Sequence, residues 1–497
     1  MFFRLKRLQI AGHPILHSVD ITFCDDSMKV SSIYTTGIIG PNGTGKSNLM
    51  GAIAAVFSEI RNWRDTGDTT RRFSFAVEYD NMGDTYYVSN MRTMNSLDFL
   101  GRTTMDGGPF CAKKNGDEIS LKEIALPQRV IASTMTVTDK FLAKSDDFYR
   151  YKGIRNERSA STTGTRTIIR KTVDSLMDCM SSKATFQEEL RILLKNLGLE
   201  EHLYVSYGLR YKELFLKPEM TSDGIRSVFD NWQNSFQNRV TPPWGFNNYI
   251  RHLRDNEEAL DAAARFLSER ATRMGDNASV AWYDLMKNAW EFQQDAFALK
   301  TLAQLDLLTY PSIDVVKKGM AFRFENSSSG ESHLLCQFIG IMADIRHGSL
   351  ILIDEPENSS HPDWQMNYVK WLKEIFKEYR DCHFIIATHS PMILANMKAS
   401  ESTIVRLVRN DDNKIVDEGG MAHGCYSWTV DEILQEVMNM KSVRTEEFNV
   451  AMFHFEKALD EEDREKAEKA YKHLVRLVRP GDELAELLRI QMIGLKN

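Results

Sequence analysis

The stretch GIIGPNGTGKSNLMGAIAAVF, residues 37–57, constrains this chain more than any other. Gly40, Gly43, Gly45, Lys46 and Ser47 fit a G-x-x-x-x-G-K-S loop set between a short apolar strand and a run that reads as a helix. Glycines let backbone N–H groups close around phosphate oxygens, and the following helix N-terminus adds partial positive charge. A chance Gly-rich turn is the weaker reading, because the strand and helix context is also right. The expected nucleotide-binding residues are Asn42, Gly43, Gly45, Lys46, Ser47 and Asn48. Lys46 would reach the outer phosphates and Ser47 would ligate Mg²⁺.

Two later segments repeat a strand with polar residues at its end. In GSLILIDEPENSSHPDW, residues 348–364, Leu350 to Ile353 suit a strand buried on both faces, which ends in Asp354 and Glu355. Ligands of open α/β sheets bind at the carboxyl ends of strands, so Asp354 is expected to hold the Mg²⁺ shell and Glu355 to polarise the attacking water. In HFIIATHSPMILANM, residues 383–397, His389 follows another apolar strand. A lone histidine there is more often structural, but the helical MNYVKWLKEIFKEY between the two strands gives the spacing of neighbouring parallel strands. His389 thereby becomes a candidate γ-phosphate sensor.

The order of P-loop, FENSSSGESHLL (residues 324–335), a strand ending Asp-Glu-Pro and a strand ending Thr-His-Ser resembles the ATPase head of the ABC superfamily. The likeness is to the soluble branch of SMC-type, RecF-like and OLD-related ATPases. It implies an α/β P-loop fold, with a mostly parallel core sheet and an antiparallel β lobe, using ATP and Mg²⁺. On the resemblance Ser328, Ser329, Gly330 and Glu331 form the signature motif, Asp354 and Glu355 are Walker B, His361 lies near the D-loop, and Glu355 and His389 are catalytic. It also implies a homodimer closed head to tail, or a higher oligomer of dimers, in which the signature serves the other copy's γ-phosphate. Ser327 and Ser360 stand where this branch usually has Leu. The Q-loop position is open between Gln128 and the nearby Ser133 and Thr134. The segments LPQRVIAST, YKGIRN and SWTVDEIL further resemble the ATPase subunits of Septu-type anti-phage systems, also found beside some retrons. That likeness implies an HNH-type nuclease partner and, in a retron-linked system, also a reverse transcriptase with its RNA/DNA product. A RecF-like repair ATPase without a nuclease is the alternative, and a transporter ATPase is disfavoured by the long insertion.

Four segments are expected in the 497 residues: an ATPase lobe with a β-hairpin (1–150), a basic loop and compact helical insertion (151–310), a second ATPase lobe (311–428) and a helical C-terminal segment (429–497). The run RYKGIRNERSASTTGTRTIIRK, residues 150–171, is basic within a chain of net charge −7. It reads either as a solvated loop or as a nucleic-acid contact through Arg150, Lys152, Arg155, Arg158 and Arg166. The charged C-terminal helices read as a solvated face or a partner-docking one. Six scattered cysteines without metal spacing fit free thiols in the cytoplasm, MFFRLKRLQI reads as a first strand with its charges on one face, and no apolar run is long enough to span a membrane.

Overall fold

The computed structural model describes residues 2–24, 33–68, 73–91, 110–155, 165–182, 185–236, 244–273, 280–327, 329–409, 415–417, 424–440, 442, 444–479 and 482–494. They divide into two units, Met1–Ser427 and Trp428–Asn497.

At the centre of the first unit lies a sheet ordered Ile415–Asp417, Ser402–Arg409, Tyr34–Ile39, His383–Ala387, Leu350–Asp354, Val130–Thr134, Tyr149–Lys152. All neighbours are parallel except the antiparallel edge strand Ile415–Asp417. The strands Tyr34–Ile39, Val130–Thr134, Leu350–Asp354 and His383–Ala387 are buried at every position, as strands covered on both faces must be. Their register decides where chemistry can occur. Asp354 lies opposite Ala387 on one side and Thr134 on the other, and Ala387 lies opposite Ile38. The P-loop, the acidic pair and Thr388-His389 therefore all leave the sheet at one edge. Gln128 does not. Its N–H bonds Gly348 O at the entry end of the strand Val130–Thr134, so the Gln128 assignment is corrected: it sits at the opposite edge, whereas Ser133 and Thr134 sit at the carboxyl end.

A second, antiparallel sheet carries Phe3–His13, Ser74–Asn81 and Asp84–Ser89 among its strands. Asn81 pairs with Asp84 across a two-residue turn whose Met82 and Gly83 both have positive φ, 59° and 94°, the geometry a tight hairpin requires. Arg4 belongs to the first strand, whose charges are expected on one face. It is buried, donating from Nη1 to Phe3 O and Cys382 O and from Nη2 to Arg380 O, and so ties the first strand to the central sheet. Between the two sheets runs the helix Lys46–Thr66, whose Leu49, Ile53, Phe57 and Ile60 join one core with residues of both. Phe57 lies 5.7 Å from Phe3 and 5.5 Å from Tyr79, ring to ring. Each such side chain contributes about 1.5–3 kcal/mol on burial, and this packing fixes the helix end on which the P-loop is mounted.

The insertion is not purely helical, which corrects the expected compact helical subdomain. Beside the helices Thr165–Ser182, Phe186–Asn196, Ser222–Phe236, Glu257–Arg273 and Ala289–Gln304, the short strands Leu203–Tyr207 and Ala281–Asp284 pair with each other, and Leu203–Tyr207 also pairs with Ser312–Lys317. Tyr204 stacks on Trp282 across that pairing at 4.6 Å. In the second unit, the helices Glu446–Asp460, Arg464–Leu477 and Glu483–Gly494 share a core that includes Phe448, Phe455, Leu474 and Leu488. Leu487, Ile490 and Ile493 of the last helix are exposed. No described helix is long and apolar enough to cross a membrane.

Candidate nucleotide site

The P-loop leaves the strand Tyr34–Ile39 under tight steric control. A Cβ on Gly40 would stand 2.3 Å from Leu407 O, and Gly43 and Gly45 adopt φ of 80° and 89°. The helix Lys46–Thr66 starts with no side-chain cap, so its first N–H groups lack the partner most helices supply. Together these N–H groups and the helix dipole fit a phosphate. Lys46 is 5% exposed, and its Nζ donates to Gly40 O at 2.6 Å and Pro41 O at 3.2 Å, folded back over the loop it would serve. Burial lowers this ammonium to about 8, against the opposing pull of Glu355, Glu357 and Asp354.

Asp354, 1% exposed, receives a hydrogen bond from Ser47 Oγ at 3.3 Å. Burial raises its carboxyl to about 7 despite that bond, and the neighbouring Glu355 adds to the rise. A desolvated carboxylate beside a hydroxyl at a phosphate-binding loop is the oxygen-donor set that suits Mg²⁺, which keeps several waters and bridges to phosphate. Ser47 and Asp354 would hold that ion.

One residue on, Glu355 has φ of 49°, a left-handed conformation unusual for a side chain of this size, while its N–H bonds Ala387 O at 2.9 Å. The turn swings the carboxylate out of the sheet. Its Oε2 accepts from Asn358 Nδ2 at 3.3 Å, and its Oε1 lies 3.7 Å from His389 Nε2. Burial first, then the charge of Lys46, lowers the pKa of His389, so the ring is neutral at pH 7. His389 N–H in turn donates to Glu357 Oε1 at 2.5 Å. Residues 46, 47, 354, 355 and 389 thus converge, as the strand ends predict.

The family model described as an AAA ATPase domain matches residues 5–394. The chain belongs to that family. Within it, the chain is similar to the Septu protein PtuA of Bacillus thuringiensis, 33% identical over 143 residues, which are 29% of this chain and 35% of that protein. It is also similar to the retron Vc95 probable ATPase of Vibrio cholerae serotype O1 biovar El Tor, 24% identical over 174 residues, 32% of each chain. The matched stretch spans about a third of each relative's length. An Smc head domain from Pyrococcus furiosus, solved with the C-terminal domain of ScpA, aligns over 88% of this chain and 99% of its own, with 14% identity and a TM-score of 0.35.

In this AAA ATPase the signature segment opens the helix Ser329–Asp344, with Gly330 and Glu331 in its first turn; Ser328 lies outside the described residues. A Cβ on Gly330 would stand 2.3 Å from Ser359 O, so the signature turn packs on the segment that follows Glu355. Glu331 Oε1 pairs with Lys317 Nζ at 2.8 Å. Ser327, in the place of the usual Leu, bonds Phe324 O and Ser332 Oγ, both at 2.7 Å. His361 caps the helix Pro362–Ile375 by accepting from Asp363 N–H at 3.3 Å.

The basic residues proposed for nucleic acid have partners inside the protein. Arg150 Nε and Lys152 Nζ lie 3.2 and 2.7 Å from the Asp344 carboxylate, which Arg129 also meets at 2.7 Å. Arg155 Nη2 reaches Asp139 at 2.5 Å, and Tyr151 OH and Phe141 N–H bond the same fully buried carboxylate. Arg158 lies outside the described residues, and the side chain of Arg166 is likewise outside them. The structure adds Glu357 and Asn358 to the site; the only hint of them in the sequence is an acid and an amide directly after Glu-Pro.

Proposed function

We propose that the chain binds ATP with Mg²⁺ and hydrolyses it, with Glu355 polarising the attacking water and neutral His389 beside it as γ-phosphate sensor. The observation that carries this is the meeting of Ser47 with Asp354 and of Glu355 with His389 at a single sheet edge directly above an uncapped P-loop helix. The signature turn at a helix start supports a dimer in which Ser328, Ser329, Gly330 and Glu331 complete the partner copy's site. The similarity to a Septu protein and to a retron ATPase supports a role in anti-phage defence, with nucleotide state gating an HNH-type nuclease subunit in the cytoplasm. Purified chain should turn over ATP in a phosphate-release assay, and Lys46→Ala should abolish nucleotide binding. Absence of turnover in the wild-type chain, with and without a co-expressed nuclease subunit, would refute the enzymatic reading.

A further inference from the structure

A catalytic carboxylate and a sensing histidine on neighbouring strand ends need something to hold their loops together, because the bond from Thr388 N–H to Ile38 O at 3.0 Å is the last that ties the His389 loop to the neighbouring strand. Glu355 is held at Oε2 by Asn358, but the ring of His389 is placed by its own backbone. With Thr388 N–H on Ile38 O and Ser390 Oγ on Gln365 Oε1 to either side, the His389 main chain itself is held by the N–H donated to Glu357 Oε1 at 2.5 Å. Glu357 stands on the turn between the strand Leu350–Asp354 and the helix Pro362–Ile375, so its bond crosses from one strand end to the next. Its second oxygen, Oε2, is buried with no hydrogen-bond partner. The same carboxyl takes a hydrogen bond from the Thr388 side chain, so both of its anchors lie on the strand end that carries His389.

We infer that Glu357 is a positioning residue, whose carboxyl oxygen holds the His389 main chain so that the imidazole stays within reach of Glu355. The inference rests on the ATPase reading. It assigns Glu357 no contact with nucleotide and no proton transfer. Only the acceptor oxygen toward His389 N–H matters, so an amide at this position should serve nearly as well as an acid.

The test is a double-mutant cycle on the full chain, reading kcat for ATP and, separately, affinity for a fluorescent ATP analogue. Glu357→Ala should lower kcat by about a hundred-fold, as small misplacements of catalytic groups do, and leave affinity within about two-fold. His389→Ala should fall to a similar rate, and the Glu357→Ala/His389→Ala double variant should be no slower than the slower single one. Glu357→Gln, whose side-chain carbonyl still accepts, should recover most of the rate. The inference is overturned if Glu357→Ala turns over like wild type, if the two losses multiply in the double variant, or if Glu357→Gln is as slow as Glu357→Ala. It is also overturned if analogue binding is lost along with the rate. A wild-type chain that binds the analogue but hydrolyses no ATP would instead bring down the ATPase reading itself.

Discussion

Ser47 Oγ and Asp354 Oδ1 stand 3.3 Å apart although 307 residues separate them in the chain. Folding brings one hydroxyl and one carboxylate to the place where a phosphate-bound Mg²⁺ would be shared, and the carboxylate is desolvated there.

That desolvation has a measurable sign. A carboxyl raised to about 7 binds more protons in the folded than in the unfolded chain between its ordinary value near 4 and pH 7, so its ionisation erodes stability as pH rises through that window. Asp354→Asn should therefore melt higher than wild type without nucleotide, by a margin on the order of 4 kcal/mol above pH 7 that fades toward pH 4. The same variant should lose Mg²⁺-dependent turnover. Calorimetry at pH 5 and pH 8 measures the first expectation, and a Mg²⁺ titration of phosphate release the second.

Lys46 gives a proton signature for binding. Lowered to about 8 in the free protein, it is largely neutral at pH 9, and phosphate oxygens at its Nζ restore the charge. ATP binding at pH 9 should take up protons, and the uptake should shrink at pH 7, where Lys46 is already mostly charged. Isothermal titration in two buffers of different ionisation enthalpy reads it directly.

Glu355→Gln keeps the shape of the side chain and removes its basicity. Turnover should fall by roughly 10²–10⁴-fold with ATP binding retained. Trapped ATP should then raise the dimer fraction in light scattering over that of wild type. An unchanged rate would place the general base elsewhere.

Arg155 should behave as a structural cation. Truncating it leaves the fully buried Asp139 carboxylate without its ion-pair partner, at a cost of about 3–5 kcal/mol. Arg155→Ala should lower the melting temperature, and Asp139→Asn added to it should restore part of the loss, as followed by thermal denaturation.

The nucleotide site was legible because its chemistry demands particular residues at fixed offsets from strands that read as apolar runs. A phosphate cradle needs Gly43, Gly45, Lys46 and Ser47 in that order, and Asp354 ends one run of four apolar positions while His389 stands one residue past another. What was not legible depended on distant pairing. Leu203–Tyr207 and Ala281–Asp284 are short strands whose partners lie some hundred residues away, between helical windows that dominate any local pattern. The charge of Arg150, Lys152 and Arg155 is plain in the sequence, but nothing local says that Asp344 and Asp139 will meet it. Glu357 reads as one more acid in an acidic turn until its bond to His389 is seen.

The signature helix Ser329–Asp344 is gripped at both ends. Its first turn lies against Ser359, and its last residue is clasped by Arg129, Arg150 and Lys152, while the helix Thr165–Ser182 of the insertion runs alongside. A rigid rod of 16 residues, about 24 Å long, cannot be nudged at one tip and stay still at the other. Pressure on Gly330 from a docking copy would travel along it as a push on the edge strands and on the inserted helices. In the proposed dimer the rod would link a contact at Gly330 to the edge strand Tyr149–Lys152 and to the inserted helix Thr165–Ser182.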